Sequence, residues 1–421
     1  MKLVEEKIDV CELLLLINIS IFQKNRSKIM KSILYITILP KEYGGKTNGG
    51  IATHSVQLIL KAKNEYRVGL YSDIKEIKEL DEVILYTEDN RLIKIIKSLY
   101  AYITIEKEKI NKIRFLKFKD RLRVLYHYCN LKSIVPFYNV VHIHSLHNDC
   151  VTALSLLNNK PRIVVTDHGF WQGNVQKDIE KVRYNSFTAD KVIYISDYAK
   201  LKYKEYKLNT VNLTKIYNPF SEKKIITRDQ NEIKKNLNID KNKKVIFFSG
   251  VSDPVKRKGL DILLESISSD DYLRENTILI IIANEEGLNY AEKYSNVKNI
   301  IALKPMPYED IINYYNISDI FVLPSRSESF GLVYIESLSY GTPVIGFDKV
   351  IQEFQNLYSH LYIGESFNPL EENYTELASK IKMVLSKEVN PAALIEKTNE
   401  LFSWENLFYK FQNVYRGQKE K

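Results

Sequence analysis

Two carboxylates, Glu328 and Glu336, stand eight residues apart in the run Pro324-Ser-Arg-Ser-Glu-Ser-Phe-Gly-Leu-Val-Tyr-Ile-Glu336. Carboxylates accept hydrogen bonds from sugar hydroxyls, and two at this separation can grip two different sugars of one ligand. Taken singly, each also reads as a capping acid or a solvated helix acid. Between them, Phe330-Gly331-Leu332 presents backbone amides, and Gly331 allows a ligand close to the main chain. Upstream, Lys256-Arg257-Lys258 precedes Gly259, and ammonium or guanidinium groups in such a place can neutralise a diphosphate. Histidines close two apolar runs: His142-Ile-His144, and His168 before Gly169. A loop carrying Gly44-Gly45 and Gly49-Gly50 can wrap a pyrophosphate. The G-x-G-x-x-G spacing of dinucleotide binders is absent from it.

These groups need elements to position them. Ile320–Leu323 reads as a buried strand closed by Pro324, followed by a polar loop in which Ser327 or Ser329 is placed to cap a helix. Leu332, Ile335 and Leu338 fall at helical spacing. Gly341-Thr342-Pro343 ends that helix, and Val344–Phe347 is the next strand. A helix thus begins just beyond a strand's carboxyl end, where open α/β sheets bind ligands and where free N–H groups favour an anion. The same alternation recurs along the chain. Strands are expected at 33–39, 68–72, 83–86, 140–144, 162–166, 191–196, 245–249 and 277–283, with helices at 52–63 and from Gly259 onward. His54, at the start of the first helix, reads as a surface or capping histidine. By strand alternation His142 and His144 share a face, with His147 the one nearby candidate to complete a metal set.

The complete string Pro-Ser-x-x-Glu-x-Phe-Gly-Leu-x-x-x-Glu, followed by Gly341-Thr-Pro-Val-Ile345, resembles the E-x7-E signature of glycosyltransferase family 4, the "group 1" retaining GT-B glycosyltransferases. The likeness runs from about residue 31 to 417. It implies an α/β GT-B fold: two Rossmann-like doubly wound domains facing across a cleft, 30–217 for the acceptor and 218–402 for the nucleotide-sugar donor, with 403–421 crossing back to the first. Residue by residue it implies that Lys258 neutralises the diphosphate together with the amides of Phe330, Gly331 and Leu332, with Arg257 or Lys256 compensating for the family's first basic residue. It further implies that Glu336 holds the nucleotide ribose, that Glu328 holds donor-sugar hydroxyls, and that His168 contacts the donor sugar. Gly49 and Gly50 belong to the first loop, which in this family touches donor phosphates and acceptor. Val251 stands where the family pattern has its first basic residue, and Pro219 where it usually has Gly.

The wider composition fits this picture. The chain has 421 residues, 45% hydrophobic and 27% charged, enough for two cores. Three cysteines, Cys11, Cys129 and Cys150, have neither metal spacing nor an even framework, which points to a reducing cytosol. Residues 1–29 hold an apolar run from Cys11 to Phe22, too short to span a bilayer. They read as a loosely attached helix, or Met30 is the physiological start. The net charge of +9 concentrates between Arg91 and Lys132, where twelve basic residues face three acidic ones among Leu, Ile, Tyr and Phe. That stretch is either a solvated helical face or a peripheral surface for anionic lipid; no nucleic-acid motif accompanies it.

The resulting expectation is transfer of a sugar, with retention, from a nucleotide-sugar donor to a hydroxyl of a saccharide or lipid-linked acceptor in cell-surface polysaccharide or glycolipid synthesis. Such a protein would be cytoplasmic or peripheral at the inner membrane face. No Asp-x-Asp occurs in the sequence, so neither metal nor cofactor is expected. A GT-B phosphorylase or hydrolase and a non-catalytic sugar-nucleotide-binding subunit remain as alternatives.

Overall fold

Short runs rich in Val, Ile, Leu and Phe, separated by helical stretches, generate a succession of parallel strands. The computed structural model describes residues 31–46, 49–169, 175–220, 229–294 and 299–418. The N-terminal extension, 1–29, therefore lies outside the described residues. The chain divides into two compact units. Unit 1 comprises residues up to Ile195, Ala199–Ile216 and Phe408 onward; unit 2 comprises Ser196–Tyr198 and Tyr217–Leu407.

Unit 1 carries seven strands: β1 (Ser32–Ile36), β2 (Arg67–Ser72), β3 (Ile84–Thr87), β4 (Val140–His144), β5 (Arg162–Asp167), β6 (Lys191–Tyr194) and β7 (Leu213–Lys215). Their order is β3-β2-β1-β4-β5-β6-β7, and every pair is parallel. The order reverses between β1 and β4, which makes the crevice beyond their carboxyl ends the natural ligand position. Helix α1 (Gly50–Ala62) follows the first loop. Two further helices, α2 (Arg91–Thr104) and α3 (Phe118–Ile134), carry most of the basic stretch and pack together.

The orientation of α2 is unexpected for an amphipathic surface helix. Its lysines turn inward: Lys97 Nζ lies 2.7 Å from Asp89 and 2.8 Å from Asn130, and Lys94 pairs with Glu88. Leu92, Ile95, Ile96, Leu99 and Ile103 are left outside, Ile103 at 81% exposure.

Unit 2 repeats the architecture with six strands: β8 (Lys244–Gly250), β9 (Thr277–Ala283), β10 (Ile300–Leu303), β11 (Ile320–Leu323), β12 (Val344–Phe347) and β13 (Gly364–Phe367), in the parallel order β10-β9-β8-β11-β12-β13. Helix α4 (Leu260–Ser268) follows β8, and α5 (Leu332–Ser339) follows β11. Tyr334 holds α5 to the sheet. Its hydroxyl donates to the Leu323 carbonyl at 2.8 Å and accepts from the Phe347 N–H at 3.1 Å. Gly346 is what leaves room for that ring, since a Cβ there would lie 2.3 Å from it.

The last helix, α6 (Trp404–Arg416), begins in unit 2 and ends in unit 1. In unit 1 the Tyr415 hydroxyl meets those of Tyr35 (3.1 Å) and His142 Nδ1 (2.8 Å), and Arg162 Nε donates to the Val414 carbonyl at 2.7 Å. Cys129 and Cys150 are buried and in the thiol form, and no helix among the described residues is long and apolar enough to cross a membrane.

Candidate functional site

In unit 2 two loops leave adjacent strands side by side, 251–259 after β8 and 324–331 after β11. Gly259 brings them into backbone contact. It holds φ of 76°, and a Cβ there would lie 2.1 Å from the Pro324 carbonyl oxygen. Arg326 then fastens the pair. Its N–H donates to the Arg257 carbonyl at 2.9 Å, and its guanidinium takes the Lys256 carbonyl (2.7 Å) and both oxygens of Asp261 (2.8 and 3.1 Å). A bidentate guanidinium–carboxylate pair adds geometric specificity to its charge.

That clamp sets Lys258 directly on Glu328. The two form an ion pair, both largely buried, and Ser325 Oγ donates to the same Glu328 oxygen at 3.0 Å. The cation expected for a diphosphate and the carboxylate expected for a sugar therefore neutralise each other. The other basic residues of the loop are differently engaged: Arg257 donates to the Ser252 carbonyl at 2.7 Å, and Lys256 pairs with Asp261 at 2.9 Å. Val251, 44% exposed, presents no polar group.

The start of α5 departs from the expected serine cap. Gly331 is the N-cap, in the left-handed region at φ of 72°, and no side chain caps the turn. Ser327 and Ser329 precede it too far back for that task once Gly331 makes the turn. The Phe330 ring is core, packed with Tyr217, Phe354 and Phe402, while Ser196 Oγ donates to the Ser329 carbonyl at 2.6 Å. What residues 330–332 can offer a ligand is thus backbone, as expected for a helix N-terminus. Inside the helix, Glu336 accepts from the Tyr315 hydroxyl at 3.1 Å. Burial pushes its carboxyl up to about 7, against the lowering effect of that hydrogen bond.

Unit 1 gathers a second group of residues. His168 follows β5, His142 and His144 end β4, and His54 lies in the first turns of α1. His144 Nδ1 is 3.0 Å from His168 Nε2 and 3.2 Å from Ser55 Oγ, whose hydroxyl bonds the Ile51 carbonyl at 2.7 Å. His54 is buried, at 2% exposure, and is not a surface or capping residue. Its ring packs edge-on to His168 (4.8 Å between centroids) and against His144 and Phe411, because α1 starts over the ends of β4 and β5. His147 does not complete the set with His142 and His144; His54 and His168 gather around His144. Burial lowers all four imidazoles, His142 and His168 to about 3, so they are neutral at pH 7.

Gly49 is the N-cap of α1 with an extended backbone and open space around its Cα, and Gly50 is the first helical residue. A cavity of about 520 Å³ opens at the carboxyl ends of β1, β2 and β4, lined among others by Thr37, Asp73, Glu88, His127 and Lys181. Within it Asp149 binds Arg123 Nε at 2.9 Å and Lys181 Nζ at 3.0 Å. Burial raises the Asp149 carboxyl, but Lys181 and Arg123 more than offset it and hold it below the usual range. Sequence reasoning missed this triangle, since its members are scattered over three elements and Arg123 counted only as one charge of a basic run.

Family profiles described as Glycosyltransferase Family 4 and Glycosyl transferases group 1 match residues 49–223 and 229–401 respectively. An uncharacterised glycosyltransferase of Methanocaldococcus jannaschii is 24% identical over 387 residues, 87% of this chain and 94% of that protein. A D-inositol 3-phosphate glycosyltransferase of Thermobifida fusca is 30% identical over 101 residues, 21% of this chain and 23% of that one. The chain spans between 23% and 42% of the length of the first curated relatives it matches. Among solved structures, sucrose-phosphate synthase of Thermosynechococcus elongatus superposes with a TM-score of 0.65 at 16% identity, covering 92% of this chain and 98% of that one. Anabaena HepE, solved with UDP and glucose, gives 0.66 at 13% identity, covering 92% and 99%.

The two glycines make opposite demands, and that can be measured. Gly259→Ala forces a positive φ and a clash with the Pro324 carbonyl, a cost of about 1–3 kcal/mol. Gly49→Ala meets open space with an extended backbone. Chemical denaturation is expected to show Gly259→Ala clearly destabilised and Gly49→Ala close to the parent. Equal midpoints would mean that the two loops of unit 2 are not held by that contact.

Proposed function

For a chain that belongs to the group 1 glycosyl transferases of family 4 and has their GT-B fold, we propose transfer of a sugar, with retention, from a nucleotide diphosphate to the hydroxyl of a saccharide or lipid-linked acceptor. The observation that carries the proposal is the Lys258–Glu328 pair beside the uncapped turn at Gly331. An incoming diphosphate draws Lys258 away from Glu328 and meets the amides of Phe330, Gly331 and Leu332. The freed Glu328 carboxylate then accepts from hydroxyls of the transferred sugar. Arg257 adds charge at the diphosphate, Glu336 takes the ribose hydroxyls, His168 orients the sugar, and Gly49 and Gly50 give the first loop its close approach.

As the anomeric C–O bond breaks, negative charge grows on the diphosphate and positive charge on the sugar ring. Preorganised Lys258 and the helix-start amides stabilise the first more than the ground state, which is how such groups accelerate a reaction. In a front-face path the departing phosphate oxygen takes the acceptor proton while the acceptor oxygen bonds the anomeric carbon, so no protein base is needed. The diphosphate is neutralised by Lys258 and Arg257, and we propose that transfer needs neither metal nor cofactor. The HepE structure with UDP and glucose supports a nucleotide-sugar donor.

The proposed setting is cytoplasmic and membrane-side; contact with a lipid surface is supported by the outward apolar face of α2, with Lys107, Arg114, Lys117 and Lys119 following it in the chain. Apolar side chains entering a headgroup layer, backed by basic residues, give peripheral binding to anionic lipid.

Glu328→Gln and Lys258→Met each lower transfer from the nucleotide-sugar that raises the melting temperature most, by about 10²–10³-fold. Product NMR keeps the donor's anomeric configuration, and EDTA does not lower turnover. Turnover of glycans to sugar phosphate without nucleotide-sugar consumption, or donor binding with no transfer in any acceptor screen, would favour the phosphorylase or the binding-subunit alternative. Ribose hydroxyls favour an ionised Glu336, so donor binding lowers a carboxyl that stands at about 7 in the free protein. Affinity should therefore rise with pH up to about 7 and level off above it, falling by about tenfold per pH unit well below. The nucleotide-sugar diphosphate does not titrate there, and Glu336→Gln should flatten the calorimetric profile. Finally, co-sedimentation with anionic vesicles should drop for Ile96→Glu/Ile103→Glu and persist in moderate salt; equal binding by parent and variant would remove α2 from the lipid surface.

A further inference from the structure

We propose that His54, His144 and His168 form a binding site for one borderline-soft divalent cation, with Zn²⁺ as the probe. The three imidazoles come from the start of α1 and the ends of β4 and β5, and one nitrogen from each lies within 4.8 Å of the others. Tetrahedral zinc, with Zn–N bonds of about 2.0–2.1 Å, needs its nitrogens roughly 3.3 Å apart. His144 Nδ1 and His168 Nε2 already stand 3.0 Å apart, and the His54 ring lies edge-on to His168 at 4.8 Å between centroids.

Two further observations select these three among the four clustered histidines. His142 has both nitrogens engaged, Nδ1 with Tyr415 and Nε2 with Thr166 at 2.7 Å, so it has no lone pair to give. His144, in contrast, has a buried Nε2 with no hydrogen-bond partner, while its Nδ1 faces Ser55 Oγ. Because the Ser55 hydroxyl bonds the Ile51 carbonyl, its oxygen can accept an N–H from His144. The same Nδ1 stands 3.0 Å from His168 Nε2, so a cation enters between these two nitrogens in place of their contact, and the ring proton moves to the unpartnered Nε2. Imidazole suits zinc, copper, nickel and iron rather than magnesium or calcium.

Three neutral ligands leave the cation its full charge and one open position, which water or an anion fills. Occupation also claims the ring of His168, so a bound cation and the sugar contact proposed for that residue exclude each other. The site itself does not depend on the transferase reading.

The test uses the full chain and reads binding, not turnover. Equilibrium dialysis with Zn²⁺ is expected to give one ion per chain, and Co²⁺ the visible absorption of a four-coordinate site. His144→Gln and His168→Gln should each lose the ion, whereas His360→Gln, exposed in unit 2, should keep it. If a substitution prevents folding, histidine-selective NMR of the parent decides the matter. Zn²⁺ must then shift His54, His144 and His168 among the seven histidines and leave His360 in place. No saturable binding, or binding that survives both folded variants, overturns the proposal.

Discussion

A contact between two backbones, Gly259 against the Pro324 carbonyl, is the constraint on which the unit 2 site depends. Parallel pairing of β8 and β11 brings the loops near each other, but only a residue without Cβ at positive φ lets them touch. Asp261, in the first turn of α4, and Arg326, in the opposite loop, then convert proximity into a fixed register. Lys258 and Glu328, far apart in sequence, become one buried pair as a result. A surface ion pair contributes little, whereas this one is sheltered and keeps both groups desolvated and aimed before a ligand arrives. Its neutrality means that ligand charge has to replace protein charge group for group.

Much of this was legible in the sequence because the informative signals were local. Strand, polar loop, Gly, helix and Gly-Thr-Pro occur consecutively from Ile320 to Pro343, and β4, β9, β11 and β12 have the bounds that apolar periodicity gave. The Lys258-Gly259 doublet is likewise local. What escaped was set by residues remote from one another. Arg326 reads as an ordinary loop arginine until its partner Asp261 is brought opposite. His54 reads as a helix-start histidine until β4, β5 and Phe411 close over it. The serine cap failed for a different reason: a left-handed glycine and a serine N-cap both fit the string, and only the turn geometry chooses between them.

Helix α2 shows how a charge count can mislead about orientation. Twelve basic residues between Arg91 and Lys132 suggest lysines facing outward, yet Lys94 and Lys97 turn toward Glu88, Asp89 and Asn130. Acids just upstream of the helix recruit them, and the isoleucines are left in water. Exposed apolar surface of this kind calls for a partner. The physical content of the stretch is therefore a greasy face more than a cationic one.

The end of α6 has a consequence for how the chain is made. Tyr415 supplies the hydroxyl that meets Tyr35 and His142, and Val414 the carbonyl that accepts from Arg162, so these three side chains, on strands β1, β4 and β5, lack those hydrogen bonds until residues near 415 exist. During synthesis the segment that emerges first must wait, incompletely closed, while all of unit 2 is translated. Expressing it alone would reproduce that unfinished state, with a buried histidine and tyrosine left for water to satisfy. Completion of the hydrogen bonding of unit 1 is thereby tied to arrival of α6.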